Sequence, residues 1–325
     1  MRVLVTGGYG CIGAWIVKNL IARGDDVWVF DLKEDPRRMK LVMTDPEVGQ
    51  VRFIEGDVTD VDRLRAALES KGVEGVIHLA GLQVPVCRAD PLLGARVNVI
   101  GTLAAFEAVR ALEGQVKRVV YASSGAVHSP PEEQTVAPIP DAVRLAPVTH
   151  YGVFKGANEG NARVYWLDHG VSSVGLRPWT VYGVGRDFGL TSQPTKAMKA
   201  VVVGRRYHIA YGGSQDMQYV DDVARTFIRC LEAPFEGAKA YNVRGAVVDI
   251  ETLYQTLVQV APEAEGLVTF GGNQLPIGFD LDDSALVAEI GEFPKTPLAD
   301  GIRATVELFR SLQSQGRLDT SDLDE

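Results

Sequence analysis

The sequence predicts an α/β protein: a doubly wound parallel sheet with a smaller C-terminal substrate-binding lobe. Three observations predict it. Short apolar runs alternate with helix-period segments from residue 2 to about residue 177. The first run leads directly into closely spaced glycines and then an apolar-faced helix. Finally, Gly7 to Gly13, Asp31, Asp57, Ala80, Ser124 and Arg177 all fall at strand C-termini. Strand–helix alternation implies a parallel sheet covered on both faces. Right-handed crossovers put the strand C-termini on one edge, where such sheets bind ligands.

The elements follow in order. Arg2 to Val5 reads as a buried strand, and Ala14 to Ile21 as a helix. Between them, Gly7 and Gly8 allow a tight turn, Gly10 lets backbone approach a pyrophosphate, and Gly13 lets the helix sit close to the strand. The helix N-terminus offers free N–H groups and partial positive charge to phosphates. This is the fingerprint of a Rossmann-type dinucleotide fold. Val27 to Phe30 is the second strand, and Asp31 at its end stands where that fold places a carboxylate on the ribose hydroxyls. A 2′-phosphate there meets negative charge, so NAD is favoured over NADP, with Lys33, Arg37 and Arg38 softening the preference. Val51 to Glu55 is the third strand, and Asp60 is placed to cap the helix ending near Ser70. Val76 to Leu79 and Val116 to Ala122 are the fourth and fifth strands, with a helix over Pro91 to Leu112 between them. A proline-rich loop, Pro130 to Pro147, leads to a helix over Thr149 to His169 and a sixth strand, Val171 to Leu176. Beyond Pro178 the alternation breaks, apart from a helix opening at Tyr219 to Asp222 and a returning strand at Ala240 to Val243. The expected division is 1–177 plus 217–245 for dinucleotide binding, 178–216 plus 246–312 for the substrate lobe, and a mobile acidic tail over 313–325.

Composition bounds the function. Of 325 residues, 46% are hydrophobic and 23% charged, enough for a large core and too balanced for disorder. The net charge of −9, with no basic stripe, argues against nucleic acid. Cys11, Cys87 and Cys230 are scattered without metal or disulfide spacing, which fits a reducing cytoplasm and no metal. A strand beginning at residue 2 leaves no room for a signal peptide, and no apolar run approaches membrane-spanning length, so no membrane is expected.

Tyr151 and Lys155 lie four apart, on one face of their helix. Tyrosine, with a pKa of about 10, is a poor base at neutral pH until cations favour the phenolate. The Lys155 ammonium and a positive nicotinamide ring would both do so. The phenolate then takes a proton from a substrate hydroxyl while hydride leaves the same carbon. Ser124, at the end of the fifth strand, is placed to hydrogen-bond the reacting oxygen. His78 reads as packing, and Asn98 as either a satisfied core amide or part of a proton relay. Asp221 and Asp222 read as a helix cap. Trp179 is the tryptophan placed to reach the pocket.

The chain resembles an extended short-chain dehydrogenase/reductase of the NAD-dependent epimerase/dehydratase family. The matching motifs are TGGYGCIG, Asp31, GDVTD, HLAG, NVIGT, YASSGAV, YGVFK, LRPWTVYG, YVDDVA and PLADGIRATVELF. The resemblance implies that Ser124, Tyr151 and Lys155 are catalytic, with Asn98 assisting. It implies NAD contacts from Gly7, Gly10, Cys11, Ile12, Asp31, Leu32, Asp57, Val58, Leu79, Ala80, Gly81, Asn98, Tyr151, Lys155 and Pro178. It also implies a homodimer paired through the helices around Pro91–Leu112 and Thr149–His169.

Departures from the family pattern narrow the expected substrate. Gly125-Ala126 stand where dehydratases carry Asp-Glu, so dehydration is not expected. Gln215 and Thr180 replace the arginine and asparagine usual in enzymes of UDP-sugars, and Leu267 to Asp283 holds no Arg or Lys. A diphosphate would lack its bidentate partners. Arg186, Thr191, Ser192, Gln193 and Thr195 instead line a polar loop suited to a small polyol, sugar or sugar acid, with Arg186 on a carboxylate. The leading expectation is an NAD-dependent oxidoreductase acting on a secondary alcohol of a small sugar-like molecule. The alternatives are a sugar or nucleotide-sugar epimerase with tightly held NAD, such as a UDP-sugar 4-epimerase, and a non-catalytic NAD-binding regulator.

Overall fold

The computed structural model describes residues 1–324. Twelve strands occur among them: β1 (Arg2–Thr6), β2 (Asp26–Asp31), β3 (Arg52–Glu55), β4 (Gly75–His78), β5 (Arg118–Ala122), β6 (Ser173–Arg177), β7 (Thr180–Tyr182), β8 (Tyr207–Ile209), β9 (Ser214–Tyr219), β10 (Ala238–Asn242), β11 (Ala246–Asp249) and β12 (Val268–Phe270). Seven form the central sheet in the order β10–β6–β5–β4–β1–β2–β3, every pairing parallel. Alternate residues of each strand feed opposite faces, as the pleat requires. Val3 and Val5 join a core beneath helices Cys11–Ala22 and Val220–Glu232, whereas Leu4 joins one beneath helices Val61–Lys71 and Gly101–Arg110. The chain winds outward from β1 to β3 and restarts at β4 on the other side of β1. That reversal opens a crevice at the strand C-termini.

The remaining strands build a three-stranded sheet, β11–β9–β7, and a parallel pair, β12–β8. The expected division at residue 217 falls inside β9, which pairs with β7 and β11 rather than with the central sheet.

Three expectations need amendment. Pro91 to Leu112 is not one regular helix: Pro91–Ala95 is α-helical, Arg96–Ile100 is a π-turn, and Gly101–Arg110 is α-helical again. That run, Pro91–Arg110, is also long and apolar enough to span a membrane, with mean hydropathy 1.4, contrary to the expectation that none is. Half of its most apolar stretch is buried inside the fold. Lastly, the acidic tail is tethered as far as residue 324. A turn at Ser321–Asp324 brings Asp322 to Lys199 Nζ at 2.7 Å, and Arg205 pairs with Asp324. Lys199 is 7% exposed, and a buried ammonium needs such a partner.

Candidate active site

The glycine turn follows from backbone geometry. Gly7 has φ of +65°, and a Cβ there would stand 2.8 Å from the Ala80 nitrogen. A Cβ at Gly13 would stand 2.6 Å from the Gly7 carbonyl oxygen, so only glycine lets the helix close on the turn. Helix Cys11–Ala22 begins at Gly10 with no side-chain cap and no acid in its first turn. Its N–H groups and positive end therefore meet no protein carboxylate, which fits a pyrophosphate. Asp31 closes β2; burial raises its pKa, opposed by the Leu32 N–H it accepts at 2.9 Å. Asp57, after β3, accepts from the Thr59 N–H at 2.8 Å and so shapes the turn leading to Val58. Gly81 leaves room beside Lys155: a Cβ there would lie 3.5 Å from Nζ and 2.5 Å from Asn98 Oδ1. Glycine turn, acid and lysine thus share one crevice that fits a dinucleotide.

Ser124, Tyr151 and Lys155 meet at the same edge. Helix His150–His169 is capped by Thr149, whose hydroxyl accepts from the Gly152 N–H at 3.0 Å, and presents Tyr151 and Lys155 together. Lys155 Nζ lies 5.6 Å from the Tyr151 ring centre and donates to the Ala122 carbonyl at 2.7 Å, two residues before Ser124. Burial pushes Lys155 down to about 8. Burial likewise raises the Tyr151 phenol, while the Ser124 hydroxyl and then the Arg186 guanidinium pull it down. Here the expectation is corrected. Burial outweighs the cations within the protein, and the cation that favours the phenolate is Arg186 rather than Lys155.

Asn98 sits in the π-turn, 1% exposed. Its amide donates to the Leu82 carbonyl and accepts from the Leu82 N–H, each at 3.1 Å, which braces the segment after β4. Its own carbonyl accepts from Thr102 Oγ1 at 2.7 Å and Asn158 Nδ2 at 2.9 Å, bonds that the widened turn makes available. His78 lies between the Thr6 and Thr102 hydroxyls, and burial pushes it down to about 3, so it stays neutral. Asp221 and Asp222 do not cap their helix. Asp221 accepts from Asn19 and pairs with Arg225, and Asp222 accepts from Thr296.

Sequence reasoning missed the support behind this site. Glu159, one turn beyond Lys155 on the same face, accepts from Ser123 Oγ at 2.5 Å and takes two bonds from Arg177 at 2.9 and 2.7 Å. The spacing 151, 155, 159 was the available signal. Of the polar loop, Ser192 bonds the Gly189 carbonyl, Gln193 accepts from the Ala210 N–H, and Thr195 accepts from the Gly183 N–H. These three close the loop on itself, which leaves Arg186 and Thr191. The Trp179 ring lies against Gly125, 3.6 Å from where a Cβ would stand, beside Ser124. Gln215 and Thr180, both fully buried, hydrogen-bond each other at 3.0 Å.

This fold and crevice are those of the extended short-chain dehydrogenase/reductases. The NAD-dependent epimerase/dehydratase family model matches residues 3–243, and the chain belongs to that family. It is accordingly an NAD-dependent enzyme. A UDP-glucose 4-epimerase of Mycolicibacterium smegmatis is 32% identical, covering 96% of this chain and 99% of its own. The structure of a Thermus thermophilus UDP-glucose 4-epimerase in complex with NAD is 29% identical with a TM-score of 0.79, covering 95% of this chain and 99% of its own. An L-threonine dehydrogenase of Clostridium difficile shares the fold, with a TM-score of 0.83 at 21% identity over 95% of this chain and 98% of its own.

Proposed function

We propose that the chain oxidises a secondary alcohol of a small sugar-like substrate, a sugar, sugar acid or polyol. The observation that carries this reading is the meeting of Ser124, Tyr151 and Lys155 beside the uncapped glycine turn. Bound NAD⁺ supplies the hydride acceptor, held by the Gly7–Gly13 turn, Asp31 and Lys155. Tyr151 Oη takes the hydroxyl proton, Ser124 Oγ holds the reacting oxygen, and Lys155 stays cationic at neutral pH. Substrate choice rests with the lobe formed by 178–216 and 246–312. Within it, the buried Gln215–Thr180 pair offers a diphosphate no cation.

A second reading is epimerisation, in which the same residues return hydride to the other face. It is favoured by the 32% identical relative, which bears the name UDP-glucose 4-epimerase and aligns over almost the whole chain.

We also infer a homodimer. Leu92, Leu93 and Ile100 on one helical run, and Val153, Val164 and Leu167 on the adjoining helix, are all at least 43% exposed. A patch of that kind is covered by a partner, here a second copy. The free cysteines fit a reducing cytoplasm.

The test is NADH absorbance with NAD⁺ and a panel of sugars, sugar acids, polyols and UDP-sugars. A steady rise with a free sugar, acid or polyol is expected, and Tyr151→Phe loses at least about 100-fold in kcat while still binding NAD⁺. Wild-type turnover by that variant overturns the mechanism. An isomerised product without NADH selects the second reading.

A further inference from the structure

Arg186 is the one member of the substrate loop whose charge the protein does not use. Its Nη2 donates to Thr191 Oγ1 at 2.9 Å. Its Nε is buried and has no partner. Among the described residues no carboxylate pairs with it. The neighbouring acid, Asp187, is spent on Arg38, which it holds through three bonds of 2.8 to 3.2 Å. The loop is fixed rather than free to bring another partner. The Gly183 N–H is held by Thr195 at 3.1 Å, and Ser192 is bonded twice to the Gly189 carbonyl. A rigid backbone thus holds a partly buried cation with one donor edge unfilled.

Its position relates it to the chemistry. The guanidinium acts on the Tyr151 phenol and on the Tyr211 phenol, favouring the ionised form of both. The Tyr211 hydroxyl is a second buried donor without a partner. A buried polar group left unpaired is costly, and a guanidinium edge matches the two oxygens of one carboxylate.

We infer that Arg186 is the specificity-determining residue of the substrate site, and that it pairs with the carboxylate of a hydroxy acid of sugar type. The inference rests on the proposed oxidation for the reacting alcohol and adds the second functional group of the substrate. A single guanidinium suits a carboxylate better than a diphosphate, for which the cation-free stretch 267–283 supplies nothing further. A phosphate monoester presents related chemistry, and the test separates it.

The test compares kcat/KM for sets that differ in one group. One set is D-glucose, D-glucuronate and D-glucose 6-phosphate; another is D-glucitol and D-gluconate. Full-length wild type, R186Q and R186K are assayed by NADH formation together with product analysis. The acid member of at least one set is expected to exceed its neutral counterpart by about 100-fold. In R186Q that ratio collapses to within about threefold, chiefly through KM, and R186K recovers part of it. A wild type that prefers the neutral or phosphorylated member, or an acid preference that survives R186Q, overturns the inference and leaves the proposed oxidation standing. An isomerised acid formed without NADH overturns the oxidation, and the acid-to-neutral product ratio still scores Arg186. If no compound turns over, thermal unfolding of Y151F with NADH and each acid at 10 mM decides. A stabilisation that the neutral partners lack and that Y151F/R186Q loses supports the inference, and its absence overturns it.

Discussion

Replacing Glu159 with glutamine tests whether the catalytic helix is held by a buried charge. The substitution keeps volume and removes the negative partner of Arg177, which is 3% exposed. What remains near the guanidinium is the Asp141 carbonyl at 3.0 Å, Asn242 Oδ1 at 3.3 Å and the Asp141 carboxylate at 3.8 Å. Removing one member of a buried ion pair costs about 3–5 kcal/mol, because the other charge stays desolvated. The unfolding entropy of a 325-residue chain is about 0.7 kcal/mol per kelvin, so the loss corresponds to a Tm lower by about 4–7 °C. Differential scanning calorimetry at pH 7 measures it. A shift below about 1 °C refutes the reasoning, since Asp141 and the two carbonyl oxygens would then satisfy Arg177 on their own.

Asp141 makes a pH prediction of opposite character. Burial, partly offset by the Asn242 N–H and Arg177, pushes its carboxyl up to about 6. A raised carboxyl pKa favours the native state at low pH, and that contribution is lost as pH rises from about 4 to 6. Asp141→Asn is therefore expected to flatten the Tm profile over that interval; an unchanged slope refutes it. Gly13→Ala places a Cβ within 2.7 Å of the Gly8 backbone, and calorimetric titration is expected to show NAD⁺ binding weakened by at least about 10-fold, with unaltered affinity as the contrary result. Leu167→Asp charges the exposed helix face, and sedimentation velocity is expected to show monomers where the wild type sediments as a dimer.

What the sequence made legible follows from which forces are local. The buried parallel strands read as continuous apolar runs because both faces are covered, and observed and expected strands differ at their ends by a residue or two. Asp60 reads as a helix cap and accepts the Arg63 N–H at 2.9 Å, since a cap spans only three residues. Asp221 and Asp222 show the limit. Acids in a first helical turn look alike whether they cap or reach across the fold, and these bond Asn19 and Thr296, far away in sequence. The pairing of Arg177 with Glu159 and the docking of Asp322 on Lys199 were hidden for the same reason. The electrostatic error at Tyr151 was one of weighting: spacing discloses a neighbouring cation but not the burial that opposes it.

The π-turn at Arg96–Ile100 fixes more than one asparagine. Such a turn holds one residue more than an α-helix would, and each helical residue advances the chain by about 100°. Deleting any single residue between 96 and 100 would heal the winding but rotate everything downstream by that angle. Thr102, Ala105, Phe106 and Val109, all now buried, would turn away from the sheet. Point substitutions along this stretch change one contact at a time, whereas its length sets the phase of the helix, so the segment can drift in sequence but not in residue count.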